Sequence, residues 1–264
     1  METNPRSWIE ALCRSHERLG RVAGALAGDQ VRGKSYCTDW SIAQVLSHLG
    51  SGAEISLIRL TAALGDGVLP EQSVYQQIWD TWDAKSPDAM VADALAADQK
   101  HIDAIDRVGD DELAGIRLPM FGTELDAVGL IRLRLSEHVL HCWDVEVMID
   151  HTAVLPEDAV SLLIDSVPTF VAPRVGRPRP EPEPFEARIV TTAPQRDYLL
   201  TSADAVRMTD WRGGETAGDA QTISMPAEAL LRLTSGRLDP EHTPADVAAD
   251  PDALSTLREI FPGF

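Results

Sequence analysis

The 264-residue sequence has few basic residues, few aromatic residues and no long apolar run, and each shortage excludes a class of function. It contains 23 lysines and arginines against 42 aspartates and glutamates, and a formal net charge of -19 disfavours binding to nucleic acid or to an anionic membrane surface. Aromatic residues make up only 5%, which argues against a base-stacking platform. No apolar run reaches the roughly 18 residues of a membrane-spanning helix.

Cysteine is also scarce. Cys13, Cys37 and Cys142 are widely spaced and form no Cys-x-x-Cys pair, so neither a disulfide framework nor a thiolate zinc site is indicated. The first residues, Met1 to Arg6, have neither the basic nor the apolar region of a signal peptide. We therefore expect reduced thiols and a cytoplasmic protein.

The first part of the chain has the apolar periodicity of helices. Four such segments are separated by glycine, aspartate and proline clusters, and they cover about 7–27, 40–64, 86–108 and 123–150. Thr38 or Asp39 can cap the second helix, and residues 70–82 form a connector to which no structure is assigned. This pattern predicts a four-helix bundle for residues 1–152.

The remainder of the chain has a different pattern. One helix is expected at about 156–171, and the proline-dense run from Pro173 to Pro184 predicts a stiff linker or surface loop. Short β-prone segments then predict an antiparallel sheet, with strands at 185–192, 196–201, 206–211 and 222–225. Two helices complete this part, at about 226–234 and 251–260. We therefore predict a helix and proline-rich linker at 153–184 and an α+β domain at 185–264.

The stretch around Glu137 and His141 carries the chemical signal. These residues are four positions apart, so on a helix their side chains project from one face, among apolar neighbours. A carboxylate there needs a positive or hydrogen-bonding partner, and a divalent metal would bind both groups. His48, at the edge of the apolar stripe of the second helix, is a candidate third ligand if the second and fourth helices are neighbours. Two imidazoles and one carboxylate suit a catalytic zinc ion and other divalent metals.

Each of these residues also has an ordinary structural interpretation. Taken alone, His48 is also consistent with a hydrogen-bonded structural histidine, and Glu137 and His141 are consistent with a simple hydrogen bond between neighbouring turns. His138 is a rival ligand, but on a helix it points to a different side from Glu137. Cys142 is expected to be a small buried hydrophobe rather than a nucleophile.

Three stretches of the chain resemble one known family. Residues 40–49 read WSIAQVLSHL, and they are followed much later by the pattern Glu137-x-x-x-His141-x-Trp143-Asp144. Residues 225–237 read MPAEALLRLTSGR. The first two motifs resemble the DinB-like, mycothiol-dependent maleylpyruvate isomerase family. The third resembles the second domain of that family, which is similar to sterol carrier proteins.

The resemblance implies a fold and a site. The fold is an N-terminal DinB-like four-helix bundle followed by a small α/β sandwich domain similar to sterol carrier proteins. His48, Glu137 and His141 match the metal ligands of the family, which most often bind zinc, and mycothiol would be the thiol cosubstrate. Arg237 matches an arginine that would face the metal across the interdomain cleft as a catalytic residue. We expect a monomer or a homodimer with small-molecule partners.

In the isomerase interpretation, the metal holds mycothiol as a thiolate that adds to the double bond of maleylpyruvate. Rotation and elimination then give fumarylpyruvate, and Arg237 would bind a substrate carboxylate and stabilise enolate charge. Three alternatives stay open. They are a mycothiol S-transferase or thiol-exchange enzyme acting on an electrophile or S-conjugate, a hydrolase that uses metal-bound water, and a non-catalytic metal- or lipid-binding stress protein.

Overall fold

The chain forms two compact units, Glu2–Ala153 and Val154–Phe264. The computed structural model describes residues 3–65, 67–120, 122–170, 184–203, 205–213 and 221–263. Within these ranges, no helix is both long enough and apolar enough to cross a membrane. Most of the predicted proline-rich linker lies outside the described residues, and the predicted division into 1–152, 153–184 and 185–264 stays a prediction.

The first unit is the expected helical bundle with additional short elements. Its elements are α1 (Pro5–Ala25), a 3-10 helix (Gln30–Arg32), α2 (Ile42–Ala63), α3 (Gln72–Asp83), α4 (Pro87–Asp106), α5 (Asp110–Gly115), β1 (Leu118–Met120), β2 (Thr123–Leu125) and α6 (Ala127–Glu146). Helices α1 and α2 each pack against both α4 and α6. The four longest helices therefore enclose one apolar core, and the predicted four-helix bundle is confirmed.

Two parts of this unit differ from the prediction. The connector predicted at 70–82 is largely helical, because α3 buries Ile78 and Trp82 and packs against α2. The last helix begins at Ala127 rather than near residue 123, since β2 pairs antiparallel with β1 before the helix starts. Both differences arise from contacts with neighbouring segments, because α3 packs against the helix before it and β2 pairs with the strand before it.

A capping box fixes the start of α2. The hydroxyl of Ser41 accepts a hydrogen bond from the Gln44 amide at 3.3 Å, and Gln44 Oε1 accepts one from the Ser41 amide at 2.9 Å. The predicted cap at Thr38 or Asp39 is wrong, because both residues lie in the turn that precedes the helix. The box sets the first turn of the helix that carries His48.

A single buried carboxylate, that of Asp98 on α4, joins the helices of the bundle. Its Oδ2 lies 2.7 Å from His16 Nδ1 on α1 and 2.8 Å from His138 Nε2 on α6. Arg134 Nη2 donates to Asp98 Oδ1 at 2.7 Å and to the Leu49 carbonyl on α2 at 2.9 Å. Burial acts to raise the pKa of Asp98, but the charges of His138 and Arg134 hold it well below its usual range.

Helix α2 approaches its neighbours closely at Gly50. A β-carbon at this position would lie 2.3 Å from two ring carbons of Trp82 and 3.0 Å from the Cα of Ala94 on α4. Because real β-carbons do not approach other atoms this closely, only glycine allows α2 to pack at this distance.

The second unit is a four-stranded sheet with short helices. Its elements are α7 (Glu157–Leu163), a 3-10 helix (Ile164–Ser166), α8 (Val167–Phe170), β3 (Phe185–Thr192), β4 (Arg196–Ser202), β5 (Val206–Asp210), β6 (Gln221–Pro226), α9 (Ala227–Leu233) and α10 (Pro251–Ile260). The strand order is β5-β4-β3-β6. Helix α9 packs against β3 and β6.

The predicted antiparallel sheet is corrected to a mixed sheet. Strands β3, β4 and β5 pair antiparallel, whereas β6 runs parallel to β3. The reason is topological, because the chain returns to the free side of β3 instead of forming a hairpin with β5. Ile189, Tyr198 and Ile223 are register partners across these strands, and all three are buried.

We expect Asp98→Asn to destabilise the first unit by about 3–5 kcal/mol, because the buried guanidinium of Arg134 would lose its compensating charge. Denaturant unfolding followed by circular dichroism measures this change. Asp103→Asn on the same helix is a matched control, since the contacts of Asp103 with Arg107 at 3.6 Å and Gln99 at 2.7 Å are exposed. An Asp98→Asn protein as stable as the wild type would show that the bundle does not depend on this carboxylate.

We expect Gly50→Ala to lower the free energy of unfolding by about 1–3 kcal/mol, because the added methyl group overpacks the rigid Trp82 ring. Gly20→Ala on α1 is the control, since a β-carbon there meets nothing within 4 Å. The Gly20→Ala substitution should instead stabilise the protein by about 0.5–1 kcal/mol, because alanine loses less conformational freedom on folding than glycine does. Thermal unfolding of both variants tests the pair, and equal effects would contradict the close approach at Gly50.

Candidate metal centre

The side chains of His48, Glu137 and His141 come together where α2 packs against α6. His48 Nε2 lies 3.3 Å from Glu137 Oε2, and His141 Nε2 lies 3.6 Å from the same oxygen. One nitrogen or oxygen atom of each residue lies within 4.8 Å of the other two. The structure thus brings together the three residues that the sequence analysis selected as ligands.

The spacing of these three residues fits a divalent metal. Two ligand atoms bound about 2.1 Å from a tetrahedral ion are about 3.4 Å apart, and the two measured separations lie on either side of that value. The side chains of His48, Glu137 and His141 are 35%, 56% and 12% exposed. The group of three side chains is therefore open to solvent on the side of Glu137.

Glu137 is ionised because of its two histidine neighbours. Partial burial acts to raise the pKa of its carboxyl group, but hydrogen bonds to His141 and His48 outweigh this effect. The pKa of Glu137 therefore lies well below the usual range of a glutamate. A carboxylate that is charged at neutral pH is the form that binds a metal.

His141 is also held from the opposite edge of its ring. Its Nδ1 lies 2.8 Å from Oδ2 of Asp144, which is fully buried. Cys37 Sγ donates a hydrogen bond to the same Asp144 oxygen at 3.1 Å. Neither Asp144 nor Cys37 has a role predicted from the sequence. The position of Asp144 three residues after His141 was an available signal, whereas nothing near Cys37 in the sequence indicated this contact.

An aromatic ring lies beside the two imidazoles. The ring centroid of Trp40 is 5.1 Å from that of His48 and 6.1 Å from that of His141. The two imidazoles themselves meet edge to face, with their centroids 4.7 Å apart. Trp40 therefore restricts the orientation of both histidines and gives the site an apolar wall.

The family is identified by comparison with known proteins. The model described as "Mycothiol maleylpyruvate isomerase N-terminal domain" matches residues 12–146, which is just over half of the chain and includes His48, Glu137 and His141. The chain belongs to the mycothiol maleylpyruvate isomerase N-terminal domain family. The resemblance stated from the sequence motifs is thereby confirmed. No curated protein matches the chain.

Two solved structures share the fold of this family member. A mycothiol-dependent maleylpyruvate isomerase is 13% identical in sequence and has a TM-score of 0.65, with 91% of this chain and 94% of that chain covered. A variant of that isomerase, in which a histidine is replaced by alanine, is also 13% identical and has a TM-score of 0.64. That comparison covers 90% of this chain and 93% of the variant. The predicted architecture, a helical bundle followed by a small sheet unit, is confirmed by this similarity.

A second group of possible metal ligands lies inside the bundle of the family domain. His16, Asp98 and His138 have closely spaced ligand atoms. However, the buried guanidinium of Arg134 already lies 2.7 Å from Asp98, and its positive charge disfavours a cation there. We infer that these three residues stabilise the fold and do not bind a metal. His138, the rival ligand in the sequence analysis, therefore points away from Glu137, as predicted.

Cys142, next to His141 in the family domain, belongs to the apolar core. It is 1% exposed and lies in a cluster with Leu46 and Val145. Burial raises the pKa of its thiol to about 12, so the thiolate is not available at neutral pH. The prediction of a buried hydrophobe is confirmed.

Arg237 lies in the second unit, outside the part that the family model matches. It follows Gly236, whose φ of 70° is a left-handed conformation that favours glycine. The Arg237 side chain is buried, and its Nη1 donates to the Ser235 carbonyl at 2.8 Å. Its amide donates to the Arg232 carbonyl at 2.8 Å, which closes the end of α9. The predicted catalytic role of Arg237 stays a prediction.

Proposed function

We propose that this chain is a metal-dependent enzyme that activates mycothiol as a thiolate, of the maleylpyruvate cis–trans isomerase type. The observation that carries the proposal is the convergence of His48, Glu137 and His141, with an open side, within the segment that matches the family. These three residues would hold the ion, and zinc is the first candidate because two imidazoles and a carboxylate are common zinc ligands.

When bound, the divalent ion would supply the positive charge that keeps a thiol deprotonated at neutral pH. The three proposed ligands would neutralise only part of the charge of the ion. His48 and His141 are neutral ligands, so Glu137 is the one anion of the set and a net positive charge remains for an incoming thiolate. Asp144 contacts the far nitrogen of His141 and is not one of the three proposed ligands.

The remaining residues would orient the reactants. We propose that Trp40 excludes water from one side of the site, which strengthens the electrostatic interactions inside it. We further propose that Arg237 binds a substrate carboxylate, because a planar guanidinium can bind both oxygens at once. Mycothiol and a small carboxylate substrate are the proposed partners. Cytoplasmic localisation and a monomeric or homodimeric state stay predictions.

Metal analysis of the purified protein is the first test. We expect about one equivalent of divalent metal in the wild type, and His141→Ala should lose it because only two protein ligands remain. His151→Ala, which changes an exposed histidine outside the site, is the matched control and should keep the metal. Unfolding transitions establish that both variants are folded. Unchanged metal content in a folded His141→Ala protein would contradict the assignment.

Activity of the metal-loaded protein on maleylpyruvate is the second test. We expect maleylpyruvate to be converted only in the presence of mycothiol. The change in the absorbance of maleylpyruvate measures this conversion. Arg237→Lys should lower kcat/KM by about 100-fold, because a lysine loses the bidentate contact, while metal content and mycothiol binding stay unchanged. Arg207→Lys changes an exposed arginine of the same unit and should have wild-type kinetics.

Other outcomes of that experiment identify the alternatives. Turnover without any thiol would indicate a hydrolase, whereas a stable S-conjugate of mycothiol would indicate a transferase. A metal-free protein without activity would favour a binding protein. Arg237→Lys with wild-type kinetics would exclude the proposed role of the arginine.

A further inference from the structure

A buried cluster lies on the side of His141 that faces away from Glu137. Oδ2 of Asp144 is 2.8 Å from His141 Nδ1 and 3.1 Å from Cys37 Sγ, and the sulfur is 3.9 Å from the same ring nitrogen. Asp144 has no solvent exposure, while Cys37 is half-buried. A carboxylate buried this deeply has to be compensated by donors, and the imidazole and the thiol are placed as donors.

The chemistry of the carboxylate assigns the protons. An ionised carboxylate only accepts hydrogen bonds, so the imidazole proton lies on Nδ1 of His141 and the thiol proton points to Asp144. The lone pair of His141 is then on Nε2, the nitrogen that faces Glu137 at 3.6 Å. The hydrogen bond to Asp144 thus favours the tautomer of His141 whose Nε2 can bind a metal.

Backbone contacts hold Cys37 in this position, although it is 107 residues from Asp144 in the sequence. The Tyr36 amide donates to the Asp144 carbonyl at 3.0 Å, which fastens the segment before α2 to α6. The carbonyl of Cys37 accepts from the Trp40 amide at 2.9 Å. The same short segment therefore places the thiol behind His141 and the indole beside it.

We propose that Asp144 is a positioning residue for His141 and that Cys37 is its thiol donor, so that both prepare the metal centre without binding the ion. The proposal rests on the proposed function, since it assigns an outer shell to that site. The geometry favours this over a second ion between Cys37, His141 and Asp144, because their separations of 2.8 and 3.1 Å are those of hydrogen bonds. Contacts of this kind orient metal-binding histidines and raise their basicity.

The first test measures the dissociation constant for Zn²⁺ by competition with a chromophoric chelator. Asp144→Ala should weaken binding about 10–100-fold, the usual effect of removing such a partner. Cys37→Ala should weaken it about 2–10-fold, because one neutral hydrogen bond is lost. Cys37→Ser retains a donor and should restore most of the affinity. Asp150→Ala, an exposed acid just after α6, is the control and should bind as the wild type does.

The second test needs no metal. Nitrogen-15 NMR of the histidine rings, with His141 assigned from the His141→Ala spectrum, should show the proton of His141 on Nδ1 in the wild type. Asp144→Ala should give a mixture of tautomers, an effect that a merely structural role would not produce.

The outcomes separate this inference from the proposed function. A folded Asp144→Ala protein with wild-type Zn²⁺ affinity, or a wild-type His141 with its proton on Nε2, would overturn the inference. Two equivalents of Zn²⁺, one of them lost in Cys37→Ser, would overturn it by making Cys37 a ligand. A wild type that binds no Zn²⁺ would instead overturn the proposed function, while the tautomer measurement would still test the role of Asp144.

Discussion

The ion pair between Asp98 and Arg134 determines how the helices of the first unit meet. Asp98 on α4 contacts α1 through His16 and α6 through Arg134, and Arg134 reaches the Leu49 carbonyl on α2. Leu49 directly follows His48, so this contact lies next to the candidate metal ligand of α2. A charge network buried in the core costs desolvation energy, which is offset here because Asp98 is paired with Arg134 and hydrogen-bonded to two histidines.

Helix α6 contributes side chains to the core from one face and to the candidate metal centre from another. Arg134 and His138 are four residues apart and point into the bundle, where both are buried. Glu137 and His141 are also four residues apart, and they meet His48. Because each pair follows the helical repeat, one helix can present a structural pair and a functional pair side by side. This division explains why the neighbouring histidines have different environments.

The fold could be predicted where local pattern decides the structure. The bundle helices follow from apolar periodicity, and α10 has the bounds expected from its proline and spacing. Helix α3 was not predicted, although Val74, Ile78 and Trp82 follow a four-residue spacing, and packing against α2 buries Ile78 and Trp82. The parallel pairing of β6 with β3 could not be predicted from the sequence, because a β-prone segment does not encode which edge of a sheet it will join.

For the candidate site, the sequence by itself determined which side chains share a helical face, as with Glu137 and His141, because four-residue spacing is a local property of the helix. The position of His48 at the edge of the apolar stripe of the second helix made it a candidate third ligand, and the family motifs then matched all three residues. Only the tertiary structure decided that α2 and α6 are neighbours and that Cys37 lies behind His141. Contacts between residues about a hundred positions apart depend on how the helices pack, and no local spacing records that arrangement.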